Sequence, residues 1–444
     1  MSLDAQRKPA DSARGGYSDP PSGLELLARL KAMPGAPELL ELAGESSGIH
    51  LVGGAVRDLL LGRTPRELDV LVEEQGGSFG DRTAQLARSL AAQLHASAQP
   101  NEHERFGTAI VRWEGGRIDI ATARRERYPL AGELPKVGPA RIAEDLERRD
   151  FTINAIALAL AGPDRGKLLT ARGTEELEDL RNGLLRVLHD ASFIDDPTRL
   201  LRLARYSARL GFQVEQSTSK LAERAIGEHR LSTVSGARIG AELRLAINEA
   251  GAVQSVAQLQ GMHLLSDIHP RLRLDERLFS DALELLPTAA GRPEMLLLAC
   301  LVLPLTVDAS SDPGWEARTL LDRLEFAGSE RDLVIAAALS PATLAERLTA
   351  TGRASVLRRG LYRAPLEGVA LAGALAGEQG MESARRWLDE LRHIRLLITG
   401  DDLLAHGIPS GPDIGRRLEV TLDMRLDGEL PDEREAQLQA ALRA

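Results

Sequence analysis

Short apolar segments alternate with helical segments in the first third of the chain. Runs of apolar and alternating positions predict strands at residues 49–52, 68–72, 108–113 and 117–122. Apolar positions at helical spacing predict helices at residues 24–33, 55–61 and 80–96. Interleaved strands and helices of this kind indicate an α/β head.

The pattern changes at about Gly173. From there to the end the chain is rich in Leu, Ala, Arg and Glu at helical spacing, and no stretch indicates a strand. We therefore predict an all-helical region behind the head. Residues 1–22 are rich in Pro, Gly and Ser without periodicity, which is typical of a disordered leader. The predicted parts are the leader at 1–22, the head at 23–172, a neck at 173–250, a body at 251–390 and a tail at 391–444.

The composition is that of a globular protein, with 444 residues of which 43% are hydrophobic and 27% charged. The longest apolar run, residues 295–304, is shorter than the roughly 20 residues that cross a bilayer, so we expect a buried helix and no membrane partner. The N-terminus carries no secretory or transit signal, which favours the cytoplasm. Cys300 is the only cysteine and lies in that run, so we expect a buried thiol and no internal disulfide.

The net charge of −10 argues against a protein that coats nucleic acid indiscriminately. Such binding depends on neutralising phosphates with Lys and Arg. A local basic channel stays compatible with this charge, and arginine supplies most of the cations, with a donor fork that suits phosphates and base edges.

The strand at 49–52 runs into Gly53 and Gly54 before a helix. Backbone N–H groups at such a turn favour a phosphate, although an ordinary strand-to-helix turn has the same sequence. Glu67 and Asp69 follow, one residue apart at the next strand. Because side chains alternate along a strand, both carboxylates project from one side and form a platform for Mg²⁺. The alternative is a solvated strand face.

A third carboxylate, Asp119, alternates with apolar residues in the strand at 117–122. If that strand is a neighbour of the Glu67 and Asp69 strand, Asp119 completes a catalytic triad of acids. The pairing of the two strands is an inference that the sequence alone leaves open.

A second cluster combines two adjacent arginines with an acid and an amide, namely Arg148, Arg149, Asp150 and Asn154. Arginines of this kind can clamp a triphosphate, and Asp or Asn can hold a ribose hydroxyl or orient a loop. The same residues are also consistent with the charged start of a helix.

The third cluster predicts a helix that Asp196 caps, with Pro197 in its first turn. Asp196 and Arg199, three residues apart, would offer an acceptor and donors to the edge of a base. Four arginines fall on one arc of the helix and form a basic stripe for nucleotide binding: Arg199, Arg202, Arg205 and Arg209. Alternating Arg and Leu is also typical of a solvated face over a core.

Together these motifs resemble the class II tRNA nucleotidyltransferase and bacterial poly(A) polymerase family, within the DNA polymerase β-like superfamily. The resemblance covers about residues 50–245. It rests on Gly-Gly-x-Val-Arg-Asp with the spaced carboxylates, on Arg-Arg-Asp-Phe-Thr-Ile-Asn-Ala, and on Asp-Asp-Pro-x-Arg-x-x-Arg-x-x-Arg, in the family's order. Weaker matches include Asp179 with Arg186 and a segment at 399–412 that is similar to the family's tRNA-binding tail.

The resemblance implies a head with a polymerase β-like mixed sheet and a role for each motif. Glu67 and Asp69 would hold the metal ions, and Asp196 with Arg199 would act as a protein template for the base. The triphosphate pocket would be shaped by Gly53, Gly54, Arg57 and Asp58. Ribose selection and support of the nucleotide would fall to Arg148, Arg149, Asp150 and Asn154. Residues 127–141 lie where the family carries a mobile loop tied to the change from C to A addition.

The implied activity is addition of CMP and AMP from CTP and ATP to the 3′ end of the tRNA acceptor stem. It would need Mg²⁺, would use no nucleic-acid template and would release pyrophosphate. Partial CC-adding or A-adding enzymes and poly(A) polymerase share these motifs, and a non-catalytic tRNA-binding protein is the alternative from another class. Two positions depart from the family's usual residues: Glu67 stands where Asp is usual, and Asp195 stands where Glu is common.

Overall fold

A computed structural model of the chain describes residues 21–44, 46–76, 78–96, 107–307, 312–350 and 352–444, and the backbone of 101–103. The chain divides into two compact units, one up to Ser235 and one from Gly236. Residues 1–20 of the predicted leader lie outside the described residues. The division into leader, head, neck, body and tail stays a prediction.

Mixed β-structure forms the centre of the first unit. Its strands are β1 (Ile49–Val52), β2 (Leu68–Val72), β3 (Asn101–His103), β4 (Thr108–Trp113), β5 (Gly116–Thr122), β6 (Arg124–Arg127), β7 (Lys136–Pro139), β8 (Ile156–Ala159), β9 (Leu168–Thr170), β10 (Leu184–Leu185) and β11 (Gln213–Val214). One sheet has the order β3, β4, β5, β2, β1, β8, β9. In it β2 and β5 run parallel and the other neighbours run antiparallel. The predicted mixed sheet is confirmed.

Helices and a buried apolar cluster support this sheet. The helices of the first unit are α1 (Gly23–Lys31), α2 (Ala36–Ala43), α3 (Gly54–Leu60), α4 (Asp81–Gln93), α5 (Ile142–Glu147), α6 (Glu175–Asn182), α7 (Ser192–Asp195), α8 (Thr198–Leu210) and α9 (Gln216–Gly227). Val52 of β1, Leu71 of β2, Leu146 of α5 and Ala157 of β8 share one buried cluster. Burial of these side chains joins the strands that carry the glycine turn and the carboxylates to the helix that precedes the arginine pair.

The strands and helices predicted in the first third of the chain are confirmed, with ends that differ by up to three residues. The short strands β8 and β9 were not predicted. All four residues of β8 are buried, so that strand shows no alternation of polar and apolar positions. The helix that carries the arginine stripe begins at Thr198, and Pro197 is its N-cap rather than part of its first turn.

One prediction about irregular structure is wrong, and a second segment is only partly irregular. The region after Gly173 does contain strands, because β10 and β11 pair in parallel. Each is two residues long, which is too short to produce a recognisable pattern. Residues 127–141, predicted as a loop, include β7, which pairs antiparallel with β6. Gly138 and Pro139 lie in β7, outside the main sheet, and Pro is tolerated at a strand end. The other Gly and Pro residues, Pro129, Gly132 and Pro135, lie between β6 and β7.

The second unit is helical throughout the part that the structure describes. Its helices are α10 (Gly236–Ile247), α11 (Ala252–Gly261), α12 (Leu264–Ile268), α13 (Glu276–Leu285), α14 (Pro293–Val302), α15 (Trp315–Arg323), α16 (Gly328–Thr349), α17 (Ala354–Leu361), α18 (Leu366–Leu375), α19 (Gly377–Asp389), α20 (Gly400–Ala405), α21 (Pro412–Leu426) and α22 (Arg434–Arg443). The predicted buried helix is α14, and Cys300 within it is buried as expected. Among the described residues, no helix has both the length and the apolar character that a membrane span requires.

His50 lies in the middle of β1 and gives the first unit a pH-dependent stability. Its side chain is 6% exposed, and neither ring nitrogen has a hydrogen-bond partner. Burial lowers the pKa of His50, against the opposing charges of Glu73 and Asp164. The folded state therefore favours the neutral ring, and its stability is lost as the pH falls below the unfolded pKa of about 6.5.

Between about pH 7.5 and about pH 5.5 we expect the urea midpoint of wild type to fall relative to that of His50→Leu, which has no proton to bind. Circular dichroism at both pH values measures this. His95→Asn, at an exposed histidine of the same unit, is the matched control and should keep the full wild-type fall. An equal fall in His50→Leu and wild type would contradict the assignment to His50.

Candidate active site

The glycine turn brings three distant parts of the chain together. Gly53 follows β1 with φ +66° and ψ −134°, a conformation that residues with a Cβ rarely adopt. A Cβ at this position would lie 3.0 Å from Arg149 Nη1 and 3.9 Å from Asp69 Oδ2. Gly53 therefore lies at the point where β1, β2 and the residue pair after α5 meet.

The three predicted acids lie together where β2 begins beside β5, on interior strands of the sheet, and this end of β2 is called the acidic edge below. Asp69 on β2 lies directly across the parallel pair from Asp119 on β5, so the strand pairing that the sequence left open is confirmed. Glu67 precedes β2 and is exposed. Burial raises the pKa of Asp69, and together with the negative charges of Glu67 and Asp119, and against the positive charge of Arg149, brings it to about 6. The carboxylates thus repel one another where Asp69 is partly withdrawn from water.

This arrangement fits a divalent cation that also binds a ligand. Asp119 makes a bidentate contact with Arg117, two residues away on the same strand face. Across the described ranges, no group of three or more His, Cys, Asp or Glu residues is placed to hold a metal ion by itself. Mg²⁺ commonly uses one or two carboxylates and completes its coordination with water and substrate phosphates. Glu67 and Asp69 supply hard oxygen donors, and their repulsion would be relieved by a cation.

The two adjacent arginines bind one acid in common and differ in their other neighbours. Both bind the buried carboxylate of Asp145, Arg148 at 2.6 Å and Arg149 at 3.1 Å. Arg148 also binds Glu126 of β6 at 2.8 Å, so it faces the β6–β7 ribbon. Arg149 reaches the glycine turn beside Asp69. Asp145 was not among the predicted site residues. Its spacing of three and four residues from the two arginines, which is that of neighbours on a helix, did indicate these contacts.

A buried polar network links α3 to the segment after α5. Arg57 Nη1 donates to Asn154 Oδ1 at 2.7 Å, and Arg57 Nε donates to Asp58 at 2.9 Å. Asn154 Nδ2 donates to Asp150 at 3.1 Å. Burial alone would raise the pKa of Asp150, but the Arg202 guanidinium and the Asn154 amide hold it well below its ordinary value. Asp150 is therefore a fixed negative charge inside the network.

Helix α8 turns its arginines towards this network instead of towards solvent. Arg199 and Arg205 are each 5% exposed, which excludes the solvated face considered from the sequence. Arg202 donates to Asp150 at 2.8 Å, and Arg209 lies 3.5 Å from Asp58. The stripe thus closes over the acids of α3 and of the segment after α5.

The predicted base-reading pair is held by separate partners. Arg199 donates to Ser192 Oγ at 2.6 Å and to the Arg148 carbonyl at 2.7 Å. Asp196 Oδ1 accepts from the backbone N–H of Thr198, the first residue of α8, at 3.0 Å. Asp196 is not the predicted N-cap itself, because Pro197 holds that position. Tyr128 follows β6, and its hydroxyl donates to Glu126 at 2.9 Å. The charges of Arg199 and Asp196 both act on this hydroxyl. Sequence reasoning missed Ser192 and Tyr128, because their contacts exist only in the folded chain.

The chain is similar to several known proteins. Residues 49–186 match the poly(A) polymerase head domain. The chain is 33% identical to an A-adding tRNA nucleotidyltransferase of Geobacter sulfurreducens over 86% of this chain and 43% of that protein. It is 32% identical to a CC-adding tRNA nucleotidyltransferase of Deinococcus radiodurans over 96% of this chain and 98% of that protein. A solved CCA-adding enzyme of Thermotoga maritima in complex with tRNA is 26% identical, with a TM-score of 0.70 over 95% of this chain and 98% of that one.

The mixed sheet, the glycine turn and the acidic edge define the first unit as the head of a nucleotidyltransferase. The chain belongs to the tRNA nucleotidyltransferase family, and the resemblance found in its motifs is confirmed. It spans less than half the length of the Geobacter relative and almost the whole length of the Deinococcus relative. Enzymes of this family generally use divalent metal ions.

Gly53 and Gly54 offer a matched test of the turn. Gly53→Ala would adopt a strained backbone and push Arg149, so we expect unfolding to become easier by about 1–3 kcal/mol. At Gly54 a Cβ would meet Arg57 Nη2 at 3.4 Å in a helical conformation, and alanine favours helix. Gly54→Ala should therefore cost less. Urea denaturation compares the two, and equal losses would contradict the special role of Gly53.

Because the pKa of Asp69 is raised, we predict that its ionised carboxylate destabilises the folded protein when no metal ion is bound. The folded pKa of about 6 lies above the unfolded value, so stability is present at low pH and is lost as the pH rises through about 6. Asp69→Asn removes the charge and should stabilise the metal-free protein at about pH 8 by on the order of 2 kcal/mol.

Urea denaturation in EDTA measures this gain, with Asp190→Asn as the exposed control that should leave stability unchanged. A loss of stability in Asp69→Asn would show that the carboxylate is favourably paired in the folded chain.

Proposed function

We propose that the protein adds CMP and AMP from CTP and ATP to the 3′ end of tRNA, without a nucleic-acid template and with release of pyrophosphate. One observation carries most weight. The Asp69 carboxylate, the Arg149 guanidinium and the Gly53 turn converge within 4 Å of the position of a Gly53 Cβ. An acid for a metal ion, a cation for a phosphate and an open backbone are what a nucleotidyl transfer site requires.

Glu67 and Asp69 would hold Mg²⁺ at the acidic edge of the sheet. Mg²⁺ bound there would neutralise phosphate charge and favour in-line attack by the tRNA 3′ hydroxyl on the α-phosphorus. Asp119 lies across from Asp69 and is neutralised by Arg117, so its role is to shape the field around Asp69. The chain's own contribution is to keep two acids close enough that a cation binds between them and the nucleotide.

The triphosphate and ribose would lie along the network of α3 and α8. Arg149 at the turn and Arg57 behind it would face the phosphates, next to Gly54 and Asp58. Asp150 and Asn154 would meet the ribose hydroxyls, because their carboxylate and amide offer an acceptor and a donor. Arg202 and Arg205 would hold these groups from α8, and Arg148 would brace the site through Asp145 and Glu126.

Base selection would come from Asp196 and Arg199. A side chain that replaces a template strand must present its donors in a fixed direction. Arg199 meets this condition because Ser192 and the Arg148 carbonyl hold its guanidinium. We propose that the second unit binds the tRNA, with the tail at 391–444 as a contact, and that the protein works in the cytoplasm, where tRNA is processed.

The extent of the added sequence is the second part of the proposal. The relatives named above include an A-adding and a CC-adding enzyme, so each partial activity has support from one relative. We propose full CCA addition, because the solved CCA-adding enzyme named above matches almost the whole chain, and because the chain retains both Asp196 and Arg199.

Labelled CTP and ATP, supplied separately and together with Mg²⁺, test the proposal on three tRNA substrates. These end before the first C, after CC and after CCA. We expect C addition to the first, A addition to the second and no addition to the third. Incorporation of only C or only A identifies a partial enzyme, long tails with ATP alone identify a poly(A) polymerase, and tRNA binding without turnover identifies a non-catalytic protein.

Variants at Glu67 connect this activity to the acidic edge. Glu67→Gln should lower kcat by more than about 100-fold, since even outer partners of metal ligands contribute about 10–100-fold. Glu67→Asp keeps the charge in the family's usual form and should retain most activity. Full activity in Glu67→Gln would remove Glu67 from the metal site.

A further inference from the structure

Tyr206 of α8 lies among three guanidinium groups. Its ring centroid is 5.6 Å from Arg57, 5.5 Å from Arg202 and 5.0 Å from Arg205. Cations within about 6 Å of an aromatic face are attracted to it, and more strongly where water is excluded. Tyr206 is 8% exposed, and the edge of Phe151 packs on it at 5.8 Å and 87°. The ring is therefore a buried and oriented surface for arginines.

The hydroxyl of Tyr206 makes a second kind of contact. Arg202 Nη2 donates to it at 3.1 Å, while Arg202 Nε donates to Asp150 Oδ2 at 2.8 Å. Arg202 is thus held between a phenol and a carboxylate. Arg57, which also lies near the ring, donates to Asn154 and Asp58. Tyr206 is the shared neighbour of arginines that belong to different helices, α3 and α8.

Simple filling of the core does not account for this environment. Like charges in a region of low dielectric constant repel one another, so gathering guanidinium groups there is unfavourable without a compensating partner. The negative face of the ring reduces that cost, and the hydroxyl gives Arg202 an acceptor. A leucine would fill similar space with neither property.

We propose that Tyr206 is a positioning residue of the nucleotide site. Its ring keeps Arg57 and Arg202 in place, and its hydroxyl keeps Arg202 on Asp150, so that Asp150 and Asn154 meet the ribose in one orientation. This inference rests on the proposed function. It assigns ribose selection to a residue that touches no part of the nucleotide.

Tyr206→Phe isolates the hydroxyl, because the ring and its packing stay. Loss of one hydrogen bond to a charged group should raise KM for CTP and ATP by about 3- to 10-fold and lower the preference for ATP over dATP by a similar factor. The kcat at saturating nucleotide should stay within about 2-fold, since Glu67 and Asp69 are not contacted. Steady-state incorporation with ATP and dATP measures both values.

Tyr362→Phe is the matched control, because Tyr362 is a half-exposed tyrosine of the second unit that also lies beside arginines. It should leave KM and the ATP preference unchanged. Tyr206→Leu removes the ring as well and should lower the ATP preference further than Tyr206→Phe. If Tyr206→Leu does not fold, Tyr206→Phe still decides the inference.

Two outcomes would overturn the inference while wild type is active. One is an unchanged KM and ATP preference in Tyr206→Phe. The other is an equal fall in kcat for every nucleotide with a lower melting temperature, which marks a purely structural role. If wild type incorporates neither nucleotide, the proposed function fails. The inference about Tyr206 is then tested by calorimetric titration of wild type and Tyr206→Phe with ATP and with dATP in the presence of Mg²⁺. Weaker and less selective binding by Tyr206→Phe then supports the inference, and equal or absent binding in both proteins overturns it.

Discussion

Repulsion among carboxylates at one edge of the sheet is the constraint around which the first unit is built. The parallel register of β2 and β5 places Asp69 opposite Asp119, and Glu67 adds a third charge beside them. A protein without a cationic ligand would gain nothing from this crowding, because it raises the free energy of the folded state. Arg149 and Arg117 reduce the repulsion without removing it. A divalent cation would neutralise the remaining negative potential, and an anionic nucleotide could then bind beside it.

The buried ion pairs behind this edge have a different purpose, which is to fix direction. Asp145 and Asp150 are enclosed and bound by arginines from their own segment and from α8. Such pairs add little net stability when compared with apolar packing, but removing one partner leaves an unpaired buried charge. Each arginine is therefore confined to one geometry. A site that must distinguish nucleotides by hydrogen bonds depends on that confinement more than on affinity.

Local signals predicted the parts of the site that lie on single elements. The alternation around Asp69 and Asp119 indicated strands, and Gly53 marked a turn, because these depend on spacing and backbone freedom alone. The inward direction of the arginine stripe was not predictable from the helix, since it follows from acids that are about 50 or more residues away in sequence. Strand β8 was not predictable either, because its burial on both faces leaves no alternation of polar and apolar positions.

The path from the β6–β7 ribbon to Arg199, the arginine proposed to read the base, is one connected set of contacts. Glu126 of β6 accepts from Tyr128, Arg124 and Arg148, and the Arg148 carbonyl accepts from Arg199. Any displacement of β6 changes the acceptors around Arg148, and the carbonyl of that residue is one of the groups that orient Arg199. If Arg199 reads the base as proposed, a template made of protein could therefore not be adjusted at Arg199 alone. Its geometry is a property of the ribbon, the arginine pair and the start of α8 together.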